Sequence, residues 1–214
     1  GPVGVTNPRW ADGTTFQADV SIPDNEEDAT ATIDVSGARD TSNAGNQMDP
    51  DTSNTFIVDT EDPTITTSYG GSVATGTVDL TSEFTFDGDG GSTTYEYSTD
   101  GGSTYQSIGS PASWDTTGLA DGTTKIRVTD TDDVGNSVQK TVDVTVDNTA
   151  PSAPTGVSAS PRAGGDIEVS FDDADDAAGG SGVQSYNVLR STSSGSGYTQ
   201  IDTVTDDGSA SFTY

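Results

Sequence analysis

The chain has no cysteine and no histidine in 214 residues, and only 7 Lys and Arg stand against 35 Asp and Glu. Without thiol or imidazole there is no Ser-His-Asp or Cys-His nucleophile, no zinc finger, no disulfide framework, and no haem ligand apart from Met48. Carboxylates are the chemistry that remains. The formal charge of -28 argues against nucleic acid and anionic lipid, both polyanions held mainly by Lys and Arg. Cations are the natural partners of such a chain. No run approaches the roughly 18 apolar residues of a membrane span, so direct membrane insertion is not expected, and the N-terminus lacks the charged-then-apolar layout of a signal peptide.

Large aliphatic residues are also scarce. Val, Ile, Leu and Phe make up 35 of 214 residues, about 16%, a level that with this charge is usually read as disorder. Pattern overrules composition. Val78, Leu80, Phe84 and Phe86 alternate with Asp79, Thr81, Glu83 and Thr85, which places the apolar set on one face of a strand. Phe16, Ala18, Val20 and Ile22 repeat the pattern, as do Val142, Val144 and Val146, and Ile167, Val169 and Phe171. Eighteen Val against three Leu is the profile of half-buried strands, not helices. The expected fold class is all-β, with cores small enough to need further support.

Repeats organise the chain. FIVDTEDP, ending at Pro63, matches VTVDNTAP, ending at Pro151, with an offset of 88 residues between Asp59 and Asp147. Upstream, Asp40 to Gly45-Asn46 matches Asp130 to Gly135-Asn136 with an offset of 90. A β-sandwich unit of about 90 residues is being repeated. Proline cannot donate into a ladder, so Pro63 and Pro151 mark boundaries. Residues 63–150 form a complete unit of seven short strands. Residues 1–62 hold only the last strands of a repeat, near 14–22, 29–38 and 54–60, and residues 151–214 stop before a final hairpin. The flanking pieces read as parts of a longer repeat protein, or as unfinished sandwiches open to self-association or strand exchange with neighbouring chains.

Within the complete unit stand Tyr95 to Tyr105 (YEYSTDGGSTY), Leu119 to Asn136 and Val146 to Pro151. In these stretches the unit resembles the bacterial and archaeal immunoglobulin-like repeats of surface proteins and adhesins, with Tyr105 where tryptophan is usual and Thr124 where a tyrosine is usual. Residues 151–214 resemble the early strands of a fibronectin type III module through PSAPTGVSAS, IEVSF, SYNVLRS and YTQI, with Phe171 and Tyr186 at core positions. These resemblances imply tandem sandwiches in an elongated rod.

Such sandwiches place the B-to-C and F-to-G turns at one pole. In residues 63–150 these turns are FDGDGG, carrying Asp87 and Asp89, and DTDDVGN, carrying Asp130, Asp132 and Asp133. Both are expected to face Asp59, Glu61 and Asp62, with Asp24, Glu26, Glu27 and Asp28 of PDNEED approaching from the other side. At a second junction Asp147 and Asn148 are expected to meet Asp172, Asp173, Asp175 and Asp176 of FDDADDAAGG, with Asp121 on the same side. Carboxylates about 4 Å apart repel by roughly 1 kcal/mol in bulk water and roughly 4 at an effective dielectric of 20. Domains are stable by only about 5–15 kcal/mol, so neutralisation is required, by protonation, calcium or salt. Calcium suits short Asp side chains in turns, because it takes about 6–8 oxygen ligands. The expected ligands are Asp59, Glu61, Asp62, Asp87, Asp89, Asp130, Asp132 and Asp133 at the first junction, and Asp147, Asp172, Asp173 and Asp175 at the second. A halophilic surface is a compatible alternative, and it accounts for the outward acids Asp19, Asp34, Asp79, Glu83, Asp143 and Glu168.

FDGDGG does not make a helix-flanked calcium loop, since Gly91 and Ser92 occupy the third ligand and glycine positions and no Glu closes it. No carboxylate pair is singled out for glycoside hydrolysis, so the chain is not expected to be an enzyme. Trp10, Trp114, Tyr69 and Tyr105 offer either a sugar-stacking platform or, as aromatics in sandwiches usually do, packing. The sequence thus points to an extracellular, cell-surface structural or adhesive segment, of stalk, filament or surface-layer type. The alternative is a non-catalytic spacer in a secreted polysaccharide-degrading enzyme.

Overall fold

The computed structural model describes residues 4–21, 29–41, 45–87, 90–208 and 211–213. Among them the fold is all-β, with a single 3-10 turn and no α-helix, consistent with the β-sandwich class. No helix among the described residues is long and apolar enough to cross a membrane. The chain divides into two compact units. The first comprises Gly1–Ile65, Phe86–Thr93 and Thr129–Val138, and the second Thr66–Thr85, Thr94–Val128 and Gln139–Tyr214.

The first unit opens with two antiparallel hairpins. β1 (Gly4–Trp10) pairs with β2 (Phe16–Ser21), and β3 (Ala29–Val35) with β4 (Asp51–Val58). β1 lies outside the strands that alternation predicts, because GVTNPRW has no period-2 pattern and contains Pro8. Its register shifts between Thr6 and Arg9, and Asn7 sits at φ 49°, the bulge that lets a proline-bearing strand pair at an edge. The apolar face expected on β2 is largely exposed: Phe16 is 55% accessible and Trp10, edge-on to it at 5.6 Å, is 68% accessible.

The central residues supply β5 (Ile65–Thr67), β6 (Val73–Ala74), β7 (Thr77–Asp79), β8 (Phe84–Phe86), β9 (Ser92–Ser98), β10 (Gln106–Ser107), β11 (Ser113–Asp115), β12 (Gly122–Thr131) and β13 (Ser137–Val146). A five-stranded sheet runs β10-β9-β12-β13-β6, with two-residue strands at both edges, and β5-β8 and β7-β11 pair separately. In the second unit, Trp114, Leu80, Ile126, Val128, Val144 and Val146 are almost wholly buried. The even spacing on β12 and β13 explains this: alternate residues share a face, and that face is the core.

One predicted strand is broken. Residues 78–86 read as continuous, yet Leu80–Ser82 form a 3-10 turn because the Asp79 carboxylate accepts the Thr81 N–H at 3.0 Å and its hydroxyl at 2.6 Å. A side chain that caps its own neighbours diverts the backbone from the ladder. Leu80 and Phe84 still point inward, being 0% and 4% exposed.

The rest of the second unit contains β14 (Thr155–Pro161), β15 (Ile167–Asp172), β16 (Ser185–Arg190), β17 (Thr199–Thr205) and β18 (Ser211–Thr213). The sheets here are β14-β15-β18 and β16-β17. Phe171, Ala174 and Tyr186 form a small buried cluster with Val169, Val183 and Val204 against it. An apolar cleft of about 400 Å³, lined by residues that include Val157, Phe171, Tyr186 and Leu189, opens beside it.

Candidate functional site

The acidic turns are best understood from their hydrogen-bond donors. Asp132, 5% exposed, begins the turn Asp132 to Asn136. Its Oδ1 accepts the N–H groups of Val134, Gly135 and Asn136 at 2.9, 2.6 and 2.8 Å, while Oδ2 accepts Asn136 Nδ2 at 2.8 Å. The backbone closes the same loop through Asp132 N–H to Asn136 O at 3.0 Å. Burial pushes this carboxyl up, but the Asn136 amide and the three backbone donors outweigh it and hold it below the usual carboxylate range. The charge is thus met by protein N–H dipoles.

The same lock recurs earlier in the chain. Asn46 N–H and Nδ2 donate to Asp40 at 3.1 and 2.8 Å, and Asp40 N–H returns to Asn46 O at 3.0 Å. The structural counterpart of Asp40 is therefore Asp132 and not Asp130, the residue matched by the constant offset of 90; the earlier loop is two residues longer. Asp130, 5% exposed, instead accepts the Thr93 hydroxyl at 2.7 Å.

The linkers match as well. Asp59 Oδ1 accepts the Glu61 N–H at 3.0 Å, and Asp147 Oδ1 accepts the Thr149 N–H at 3.3 Å. Each is a two-residue carboxylate turn in which Asp caps the chain it begins.

Around the first linker, all within the first unit, Asn136 Nδ2 reaches Asp59 O at 3.3 Å, Thr64 N–H donates to Asp87, and Gly91 N–H donates to Asp133 Oδ1 at 2.7 Å. A β-carbon on Gly91, which has φ +74°, would overlap Thr131 O. The turn can lie this close only because that residue is glycine. Residues 59–65, 86–87, 90–93 and 129–138 belong to one unit. Glu61 and Asp62 are exposed on the linker. Asp89, Asp24, Glu26, Glu27 and Asp28 lie outside the described residues.

In the second unit Asp147 Oδ2 accepts Ser181 N–H at 2.9 Å and Ser181 Oγ at 2.5 Å. The Ser181 hydroxyl and amide, with a smaller contribution from Thr149, hold the Asp147 carboxyl below its ordinary range. Asp172 accepts the Thr155 hydroxyl at 3.4 Å, Asp173 accepts the Tyr186 hydroxyl, and Asp176 accepts Gly182 N–H at 2.6 Å. Asp175 exchanges backbone bonds with Ser152: its N–H donates to Ser152 Oγ at 3.0 Å and its carbonyl accepts Ser152 N–H at 2.8 Å. Among the described residues no group of three or more acids that could hold a metal ion is found.

Asn148 was recognised in the sequence only as a companion of Asp147, but it makes the densest contacts of either linker. Its Nδ2 donates to Thr116 O at 2.7 Å and Leu119 O at 3.4 Å, and its Oδ1 accepts from the Thr116 hydroxyl, Gly76 N–H and the Thr75 hydroxyl at 3.2, 3.3 and 3.4 Å. Its own N–H donates to Asp121 Oδ1 at 2.7 Å. The departure from VDTEDP to VDNTAP was the available signal.

The aromatic residues divide. Trp114 and Tyr69 are 1% and 6% exposed and belong to the core, so they are not available to stack on a sugar. Tyr105 carries the Arg127 guanidinium 3.6 Å above its ring, and Arg127 also pairs with Glu96 at 2.6 Å.

Comparison with protein families, curated proteins and solved structures returns no match.

Replacing Asp132 by Ala should lower the melting temperature by about 5–10 °C, since four N–H donors lose their acceptor while water replaces part of it. The direction of the Asp132 shift adds a pH signature. A carboxyl held low in the fold contributes stability above the ordinary carboxylate value of about 4, and loses it as pH falls through the folded value. The gap between wild type and Asp132→Ala, read by thermal melts, should therefore be widest near neutrality and close in acid.

Proposed function

We propose that the chain is a non-catalytic structural segment of an extracellular, cell-surface protein of stalk, filament or adhesin type. In this reading it is built from immunoglobulin-like sandwiches and a fibronectin type III-like module set in tandem as an elongated rod. Cations, calcium foremost, neutralise the acidic turns around the first linker. The observation that carries the reading is the repeated lock: Asp40 with Asn46 and Asp132 with Asn136 close their loops by the same reciprocal bonds, and Asp59 and Asp147 cap their linkers alike. Repeated local geometry at repeated sequence supports tandem modules, and tandem modules with short linkers suit spacing and projection. Calcium rests on the charge of -28 and on the collection of residues 59–65, 86–87, 90–93 and 129–138 in one unit.

Small-angle X-ray scattering tests this directly. A compact globule of this length has a radius of gyration of about 17 Å, whereas three modules in line should give at least about 25 Å. A value near the compact figure would overturn the rod. Titration with calcium, followed by chelator, should raise and then lower the melting temperature; no response would remove calcium from the proposal and leave the rod standing.

A further inference from the structure

The second linker differs from the first in how completely it is bonded. We infer that residues 147–154 form a latch that holds residues 155–208 against residues 66–85, 94–128 and 139–146, all within the second unit, through direct hydrogen bonds, without a metal ion.

Three fastenings act together. Asn148 is fixed on one side by Gly76, Thr116, Leu119 and Asp121. Asp147, the residue before it, faces the other way and takes both the amide and the hydroxyl of Ser181. Ser152, beyond the turn, exchanges two bonds with the backbone of Asp175. Neighbouring residues of one short segment are thus tied to two different parts of the second unit.

The loop that carries Ser181 is itself pressed onto the central residues. At Gly179, φ +94°, a β-carbon would come 2.7 Å from Asp121 O and 3.1 Å from Gly122 Cα, so only glycine permits this approach. Gly182 N–H to Asp176 Oδ2 at 2.6 Å and Gly180 N–H to Ala177 O at 2.9 Å hold the loop's shape. Two carboxylates that calcium would need here already have donors. The Asp147 oxygen that faces the loop is engaged by Ser181, and Asp121 Oδ1 by Asn148 N–H. A cation entering would have to displace bonds to charged acceptors, which are the stronger kind.

The absence of cysteine makes the test clean, because two introduced thiols are the only sites for spin labels. Labels at Lys140→Cys and Ser194→Cys, both exposed, report the distance between the two parts by double electron-electron resonance. The wild-type background should give a narrow distribution in excess chelator, unchanged by added calcium. Asp147→Ala combined with Ser181→Ala should at least double its width, and Gly179→Val should broaden it independently, while circular dichroism shows the strands retained. A distribution already broad in chelator and narrowed by calcium would overturn the latch in favour of a metal joint. A narrow distribution in both variants would overturn it as well. Because the readout is local to this linker, it can fail while the rod and surface role stand, and the reverse.

Discussion

Trp114→Ala should destabilise the chain by about 3–5 kcal/mol, the usual loss for truncating a buried aromatic to alanine. The side chain is 1% exposed, and the Tyr97 ring lies 5.9 Å away, tilted against it. Against a typical domain stability of about 5–15 kcal/mol, that loss amounts to a fall of about 6–20 °C in melting temperature. Trp114→Phe should lose much less. The indole Nε1 is buried without a hydrogen-bond partner among the described residues, and removing an unsatisfied buried donor recovers part of the packing lost. Calorimetry of the two variants checks the ordering. Fluorescence quenching offers a second check, because the other tryptophan, Trp10, is 68% exposed. In a Trp10→Phe background the remaining emission should resist quencher. Ready quenching would mean that Trp114 faces solvent and would restore a surface role for it.

Stability should also climb steeply with salt, by about 10 °C or more in melting temperature between low salt and molar sodium chloride. Seven basic residues cannot balance 35 acids. The ion pairs described, Arg9 with Asp19, Lys125 with Asp143, Arg127 with Glu96 and Arg162 with Glu168, are partly or fully exposed, where each contributes roughly 0–1 kcal/mol. The remaining acids repel one another over distances that salt governs, since the screening length falls from about 30 Å at 0.01 M to about 3 Å at 1 M. Comparing calcium and sodium chlorides at equal ionic strength separates two causes. Equal responses mean screening of a halophilic surface, while a large response to millimolar calcium alone means a site. A flat melting temperature across the whole range would refute the claim that repulsion limits this fold.

The strands of the central residues were legible because their signal is local and periodic. Ile126 and Val128 on β12, and Val144 and Val146 on β13, alternate with polar neighbours, and a strand must then present them to one side. The linkers and the turns that end in Gly45-Asn46 and Gly135-Asn136 were legible as repeats, although the offset aligns Asp40 with Asp130 where the hydrogen bonds align it with Asp132. Their use was not. Spacing shows that Asp132 sits in a turn, but it does not show whether the carboxylate meets a cation, another acid or a row of N–H groups. That choice depends on the loop's φ and ψ, which aim three amides at one oxygen. The same limit explains Leu80–Ser82, where the Asp79 carboxylate redirects a segment whose apolar pattern is a strand's. It explains β1 too, which is held by pairing with β2 despite having no pattern of its own.

By itself, then, the sequence determined the all-β class, the buried face around Val144 and Val146, and the exclusion of thiol and imidazole chemistry, since all of these follow from residue type and period. Only the tertiary structure decided which donor each carboxylate receives, that Asn148 joins Asp147 in anchoring the second linker, and that Trp114 is core while Trp10 is surface. Those outcomes depend on distances between groups far apart in the chain, and hydrogen bonds and packing act over a few ångströms that no spacing along the sequence records.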